Sequence, residues 1–283
     1  MRMLYDVEGV KPTYSVTRLK EKHIGSFSAF LKYASPSTEQ VYLTSAKNFY
    51  SFLVADEYAN FNMEKVRFII QSRSRKVHLR APEFKEEDIR MVLDRIAKIP
   101  LSLTPTARLR DLRDIALILV LSDTGLRIGE AFSLKRGDID AKNGTIYVIG
   151  KGGKEAIVIL NKRSARALGQ YLRARQELDG AQGVPLNDLP VFSRHDKATG
   201  QKIRRMTTVS GRDIVHRRAC QVLDKDSHIT PHQFRHYFVT MVYRKTDLKF
   251  ASEAARHSNL QITGRYAHLD KKDMKARQRR ALD

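Results

Sequence analysis

Residues 15–72 carry their apolar positions at helical rather than alternating spacing. The pattern predicts three short helices: Ser15–Lys32, then Ser37–Asp56 after Pro36, then Asn62–Ser72. Thr38 followed by Glu39 suits a helix start. In the second helix Val41, Ala46, Phe49, Phe52 and Leu53 fall largely on one face, with Lys47 and Asn48 turned elsewhere, which predicts a compact helical bundle.

The periodicity stops at QSRSRKVHLRAP, residues 71–82, where serine, proline and the cations Arg73, Arg75, Lys76 and Arg80 replace apolar residues. This predicts a helical domain over 1–72, a basic linker over 73–83 and a larger domain over 84–283. The linker is either a solvated connector or a set of contacts to DNA phosphates. In the larger domain a helix is predicted over Phe84–Ile96, and a strongly apolar one over Leu112–Leu121 that ends at the Thr124-Gly125 turn. A short helix Arg127–Leu134 follows. GTIYVIGKGGKEAIVIL then alternates like two strands of a hairpin whose glycine-rich tip holds Lys151 and Lys154. The rest is helical: Lys162–Leu178, Val209–Leu223, Pro231–Arg244 capped by Thr230, and Leu248–Arg256, before a short segment with Tyr266. The fold class expected is mostly α with a small β-sheet.

Charge narrows the partner. The 283 residues include 52 Lys and Arg against 31 Asp and Glu, a net charge of +21, which implies a polyanion. No apolar run approaches the roughly 20 residues that span a bilayer, so nucleic acid is favoured over a membrane. The single cysteine, Cys220, cannot form an internal disulfide, and MRMLYDVEGV lacks the apolar core of a signal peptide, so a cytoplasmic protein is expected. Cys220 has no metal-ligand spacing around it and reads as a packed thiol; no metal is expected.

Three local patterns can carry chemistry. DTGLRIGEAFSL delivers Arg127 at a helix start with Glu130 three residues on, on the same side. Such an arginine either makes a surface ion pair or is aimed at an anion while Glu130 orients its neighbour. TPHQFRHYFVT sets His232, Arg235 and His236 within about one helical turn. His232 and Arg235 share a face and form a fork that can hold phosphate oxygens and offer an imidazole for proton transfer, or make a plain backbone contact. ARHSNLQITGRYAHLD places His257 nine residues before Tyr266, which by itself is one tyrosine among eleven.

Taken in order, the Arg of TGLRIGE, the Lys of GKGGKE, HQFRH, HSNL and a final Tyr resemble the catalytic domain of the tyrosine recombinases, the family of phage integrases and Xer proteins. The resemblance covers roughly residues 84–270, and the preceding helical segment looks like that family's core-binding domain, the two forming a C-shaped clamp on DNA. It implies that Arg127 is the first catalytic arginine, Lys151 the hairpin lysine, His232 and Arg235 the histidine and second arginine, His257 the His/Trp position and Tyr266 the nucleophile. Glu130 and His236 match accompanying positions. Arg256 departs from the pattern, because a glycine commonly precedes the matched histidine; it alters the turn or adds a phosphate contact.

The chemistry implied is attack of Tyr266 on a phosphodiester clamped by two guanidiniums, which chelate oxygens with more directional control than a lysine. His232 would be the base and His257 would stabilise an oxygen; Lys151 or Lys154 would protonate the leaving 5′ oxygen, the resemblance favouring Lys151 by its spacing after Ile149-Gly150. A 3′-phosphotyrosyl bond results, with no cofactor required. The implied partner is double-stranded DNA bearing a specific short site, cut by a homotetramer that joins two sites. The chain leaves no room for an arm-binding domain, so its layout is closest to Xer-type resolution of chromosome or plasmid dimers. A minimal integrase or transposon resolvase, a type IB topoisomerase and a noncatalytic DNA-binding protein are the alternatives.

Overall fold

The structure is a computed structural model that describes residues 15–77, 84–150, 152–196, 198–224, 226–257 and 262–264. The chain divides into two compact units, Met1–Leu79 and Arg80–Asp283.

The first unit contains α1 (Lys22–Phe30), α2 (Pro36–Ala55) and α3 (Met63–Arg73). The single helix expected over Ser15–Lys32 is instead a 3-10 turn at Val16–Arg18, then α1, then a second 3-10 turn at Leu31–Tyr33. Ser35 caps α2 by accepting from the Thr38 amide at 3.2 Å, with Pro36 in the first turn, where its missing N–H costs nothing.

The buried line of α2 differs from the expected face. It runs through Glu39, Leu43, Tyr50 and Leu53, while Val41, Phe49 and Phe52 are exposed. A buried charge accompanies this rotation. The Glu39 carboxylate receives Lys32 Nζ at 2.8 Å and the Arg75 guanidinium, whose Nη2 also donates to the Ala34 carbonyl at 2.6 Å. Burial opposes ionisation of Glu39, but the hydrogen bonds from Lys32 and Arg75 prevail and hold its pKa at about 2. Tyr50 completes the core, packing on Phe61 at 4.6 Å between ring centroids and donating to the Lys20 carbonyl at 3.0 Å.

The second unit is built around α5 (Pro105–Thr124), in which every residue from Asp114 to Thr124 is buried. It starts seven residues before the apolar run expected at Leu112, because Thr104 and Pro105 begin a helix whose first two turns bury only Leu109 and Asp111. Around it lie α4 (Glu86–Arg95), α6 (Ile128–Ser133), α7 (Lys162–Ala174), α8 (Gln176–Gly180), α9 (Thr208–Leu223), α10 (Pro231–Lys245) and α11 (Leu248–Ala254). Asp114, fully buried on α5, accepts from Arg113 Nε at 2.9 Å and from Arg217 Nη2 and Arg218 Nε at 3.0 Å, joining α5 to α9. One helix was expected over Lys162–Leu178, yet the chain breaks it at Arg175. The buried guanidinium there donates to the carbonyls of Pro190 and Val191, each at 2.8 Å.

The expected hairpin is present as β2 (Thr145–Ile149) and β3 (Glu155–Ile159), with Tyr147 opposite Ile157. A two-residue strand, β1 (Ile139–Asp140), extends it to a three-stranded antiparallel sheet in the order β1-β2-β3. Ile146, Val148 and Val158 point into the core. At the tip Gly152 and Gly153 take φ of +78° and +74°, a left-handed bend that explains the paired glycines. Among the described residues no helix is long and apolar enough to cross a membrane.

Candidate active site

The site begins where α5 stops. Gly125 adopts φ +61° and its amide bonds to the Leu121 carbonyl at 3.1 Å, closing the helix in the left-handed conformation. A side chain is excluded twice over, since a Cβ there would lie 2.9 Å from Phe238 Cε1 as well as needing that φ. The turn makes Arg127 the N-cap of α6 with an extended backbone. Glu130, in the first turn, reaches back so that Oε2 accepts the Arg127 amide at 2.9 Å and Oε1 takes Arg127 Nη1 at 2.7 Å. Only this half of a capping box can form, because a guanidinium has no acceptor. Burial opposes the Glu130 charge, yet hydrogen bonds from Arg127 keep its pKa below the ordinary value, so it stays ionised.

α10 brings the second group. Gln233 accepts the Thr230 amide at 2.8 Å and Pro231 opens the helix, which places His232 and Arg235 one turn apart. Arg235 is buried, its Nη1 on the Gly125 carbonyl at 2.5 Å and its Nη2 on the Ala255 carbonyl. One side chain thus links the α5–α6 turn to the end of α11. His236 meets His232 edge-on at 4.3 Å and stacks on Phe84 at 6.4 Å.

The third group follows α11, which ends at Ala254 rather than at the expected Arg256. His257 Nδ1 lies 2.7 Å from Thr263 Oγ1. Burial and the charges of Arg235 and Arg127 push the His257 pKa down to about 4, and the same causes lower that of His232. Both imidazoles are therefore neutral near pH 7, able to accept a proton or donate one N–H.

Arg127, His232 and Arg235 line one concavity of about 620 Å³. Arg212, His216 and His228, which the sequence reading passed over, line it too; the signal for two of them is the four-residue spacing of Arg212 and His216 along α9. Cys220, expected to be packed, is half-exposed on α9, its Sγ 3.8 Å from His216 Nε2 and 3.9 Å from Asp226 Oδ1. Lys151, Tyr266 and Arg80 lie outside the described residues. In the first unit Arg73 and Lys76 are exposed and Arg75 is engaged with Glu39. Arg256 turns to Glu130, its Nη2 3.0 Å from Oε2.

Two guanidiniums near two neutral imidazoles make an electropositive site whose chemistry suits an anionic oxygen and a proton transfer. Residues 89–273 match the model of the phage integrase family. The chain belongs to this family. As a member it is a tyrosine recombinase, a DNA strand-cleaving and rejoining enzyme. The tyrosine recombinase XerD of Listeria innocua serovar 6a is 30% identical over 261 residues, covering 91% of this chain and 80% of the relative. The tyrosine recombinase XerC of Thermodesulfovibrio yellowstonii is 28% identical over 247 residues, with 86% and 75% covered. Among solved structures, the XerH site-specific recombinase in a post-cleavage complex with a palindromic difH substrate has a TM-score of 0.68 at 22% identity, covering 93% of this chain and 72% of that one. The Tn1549 transposon integrase in complex with a circular intermediate DNA has a TM-score of 0.65 at 18% identity, covering 99% and 91%. These likenesses share the mostly helical fold with a small antiparallel sheet.

Proposed function

We propose that the chain is an Xer-like site-specific recombinase that cuts double-stranded DNA with Tyr266 and acts in the cytoplasm as a tetramer on two short sites, resolving chromosome or plasmid dimers. The observation that carries the reading is the meeting of Arg127, His232 and Arg235, from two separate stretches of chain, in one concavity. A phosphodiester gains negative charge on its nonbridging oxygens as a fifth oxygen approaches phosphorus, and preorganised guanidiniums oppose that charge without reorganising. Arg127 and Arg235 fill this role.

A tyrosine hydroxyl has a reference pKa near 10, so the nucleophile must lose a proton as it attacks. His232, neutral at pH 7 because of its burial and its cationic neighbours, takes that proton. The P–O5′ bond breaks as the phosphotyrosyl bond forms, and Lys151 at the hairpin tip gives the leaving oxygen its proton. His257 donates a hydrogen bond to a phosphate oxygen, and His236 and Glu130 orient their neighbours. Attack by a 5′ hydroxyl from a second duplex runs the sequence backwards. Exposed Arg73 and Lys76, together with Arg80, add phosphate contacts outside the site.

A nicked duplex carrying a candidate site, which lets the 5′ fragment diffuse away, tests the proposal. Wild-type protein should form a covalent adduct and Tyr266→Phe should bind without forming one; an adduct with the phenylalanine variant refutes the assignment. Integration of a mobile element is a second reading, supported by the comparable likeness to the Tn1549 integrase, with a TM-score of 0.65 against 0.68 for XerH. Recombination between two copies of a site from the chain's own replicon favours dimer resolution, whereas joining of unlike sites favours integration.

A further inference from the structure

We infer that Arg256 is a positioning residue for the phosphate clamp: by sharing Glu130 with Arg127 it sets the direction and the free charge of Arg127. The inference rests on the reading of Arg127 as a phosphate ligand.

The backbone is the first observation. α11 closes with the His257 amide on the Ser252 carbonyl at 3.0 Å and the Arg256 amide on the Glu253 carbonyl at 2.9 Å, with Arg256 at φ +57°. This pair of bonds around a left-handed residue is the Schellman ending, whose left-handed position glycine fills without a Cβ penalty. The side chain is the second observation. Arg256 is 12% exposed and its partner Glu130 9%, and Arg256 Nε and Nη1 are buried with no hydrogen-bond partner among the described residues. Buried unpaired donors are costly. Both penalties would vanish with glycine, so the contribution of arginine lies in its remaining contact, the ion pair with Glu130.

That contact acts on Arg127. Glu130 carries one negative charge and holds two guanidiniums, Arg127 on Oε1 at 2.7 Å and Arg256 on Oε2 at 3.0 Å. The trio is net positive. Without Arg256 the carboxylate would cancel Arg127 and compete with phosphate for it; with Arg256 the carboxylate is shared and Arg127, 41% exposed, has side-chain donors without a partner among the described residues. The arrangement also fixes the carboxylate in place, so the N-cap backbone and the guanidinium of Arg127 are aimed together.

The test compares Arg256→Gly, Glu130→Gln and the double variant by single-turnover adduct formation at saturating nicked duplex, read well below each variant's melting temperature. Arg256→Gly suits the left-handed turn, so its melting temperature should equal or exceed that of the wild type, while its cleavage rate falls about tenfold. In the Glu130→Gln background the same change should have little further effect, a non-additivity that a purely structural role would not produce. A rate within about twofold of wild type for Arg256→Gly, or losses that simply multiply in the double variant, would overturn the inference. Arg127→Ala separates the two levels. If it leaves adduct formation intact the phosphate-clamp reading fails, whereas if it abolishes the adduct while Arg256→Gly does not slow it, only the role of Arg256 fails.

Discussion

Gly125→Ala perturbs the turn on which both guanidiniums depend. Its cost has two separable parts. At φ +61° an alanine meets the steric penalty of the left-handed region, about 1–2 kcal/mol. The new methyl also enters the Phe238 ring, 2.9 Å from Cε1 and 3.0 Å from Cγ, and such overpacking costs about 1–3 kcal/mol. Together they predict a loss of about 2–5 kcal/mol, a large share of the roughly 5–15 kcal/mol that holds a typical domain folded. Urea unfolding of the wild type and the variant measures it directly, as a lower midpoint at unchanged slope. The turn also positions chemistry, since Arg235 Nη1 bonds to the Gly125 carbonyl and Arg127 lies two residues on. A shift near 1 Å there should lower adduct formation by about a hundredfold. Phe238→Leu removes ring atoms from the collision and leaves the backbone penalty, so the double variant should be more stable than the two single effects predict. A Gly125→Ala protein within about 0.5 kcal/mol of wild type, or one with no coupling to Phe238, would refute the account.

Asp114→Asn removes the buried carboxylate shared by buried Arg113 and Arg218 and by exposed Arg217, and leaving the two buried guanidiniums without it should cost about 3–5 kcal/mol in urea unfolding. An unchanged midpoint would show that the link from α5 to α9 contributes nothing. His195 gives a pH signature. Burial and the nearby Arg113 and Arg175 charges push its pKa from 6.5 down to about 3, while Nε2 is tied to the Tyr171 hydroxyl at 2.8 Å. The unfolded chain binds a proton near pH 6.5 that the folded protein refuses until about pH 3, so this stabilisation is complete above pH 6.5 and is lost as pH falls through that window. The slope should approach about 1.4 kcal/mol per pH unit. His195→Gln should flatten the acid limb of the melting-temperature profile; an identical limb would refute the assignment.

What was legible in the sequence is what the backbone demands locally. Gly125 is required by a left-handed turn, Thr230 and Pro231 by the start of α10, and Gly152 and Gly153 by the bend of the hairpin, so these positions could be placed before any tertiary contact was known. The faces and breaks decided between elements were not legible. Glu39 sits on the buried ridge of α2 while Val41, Phe49 and Phe52 of the expected face are exposed, and Arg175, where α7 stops, reaches carbonyls at Pro190 and Val191. The same limit governs charge. A net +21 points to a polyanion, but it counts Arg113, Arg175, Arg218 and Arg235 alike, and all four are buried on the protein's own carboxylates or carbonyls. A guanidinium keeps its charge in either setting, so residue type cannot tell scaffold from ligand. The difference lies in who supplies the acceptor: for Arg235 the protein already does at Gly125 and Ala255, whereas Arg127 is held on one side by Glu130 and is 41% exposed among the described residues. On the proposed reading both guanidiniums oppose the phosphate charge, Arg235 from a position fixed by two backbone carbonyls and Arg127 from a side chain that is 41% exposed.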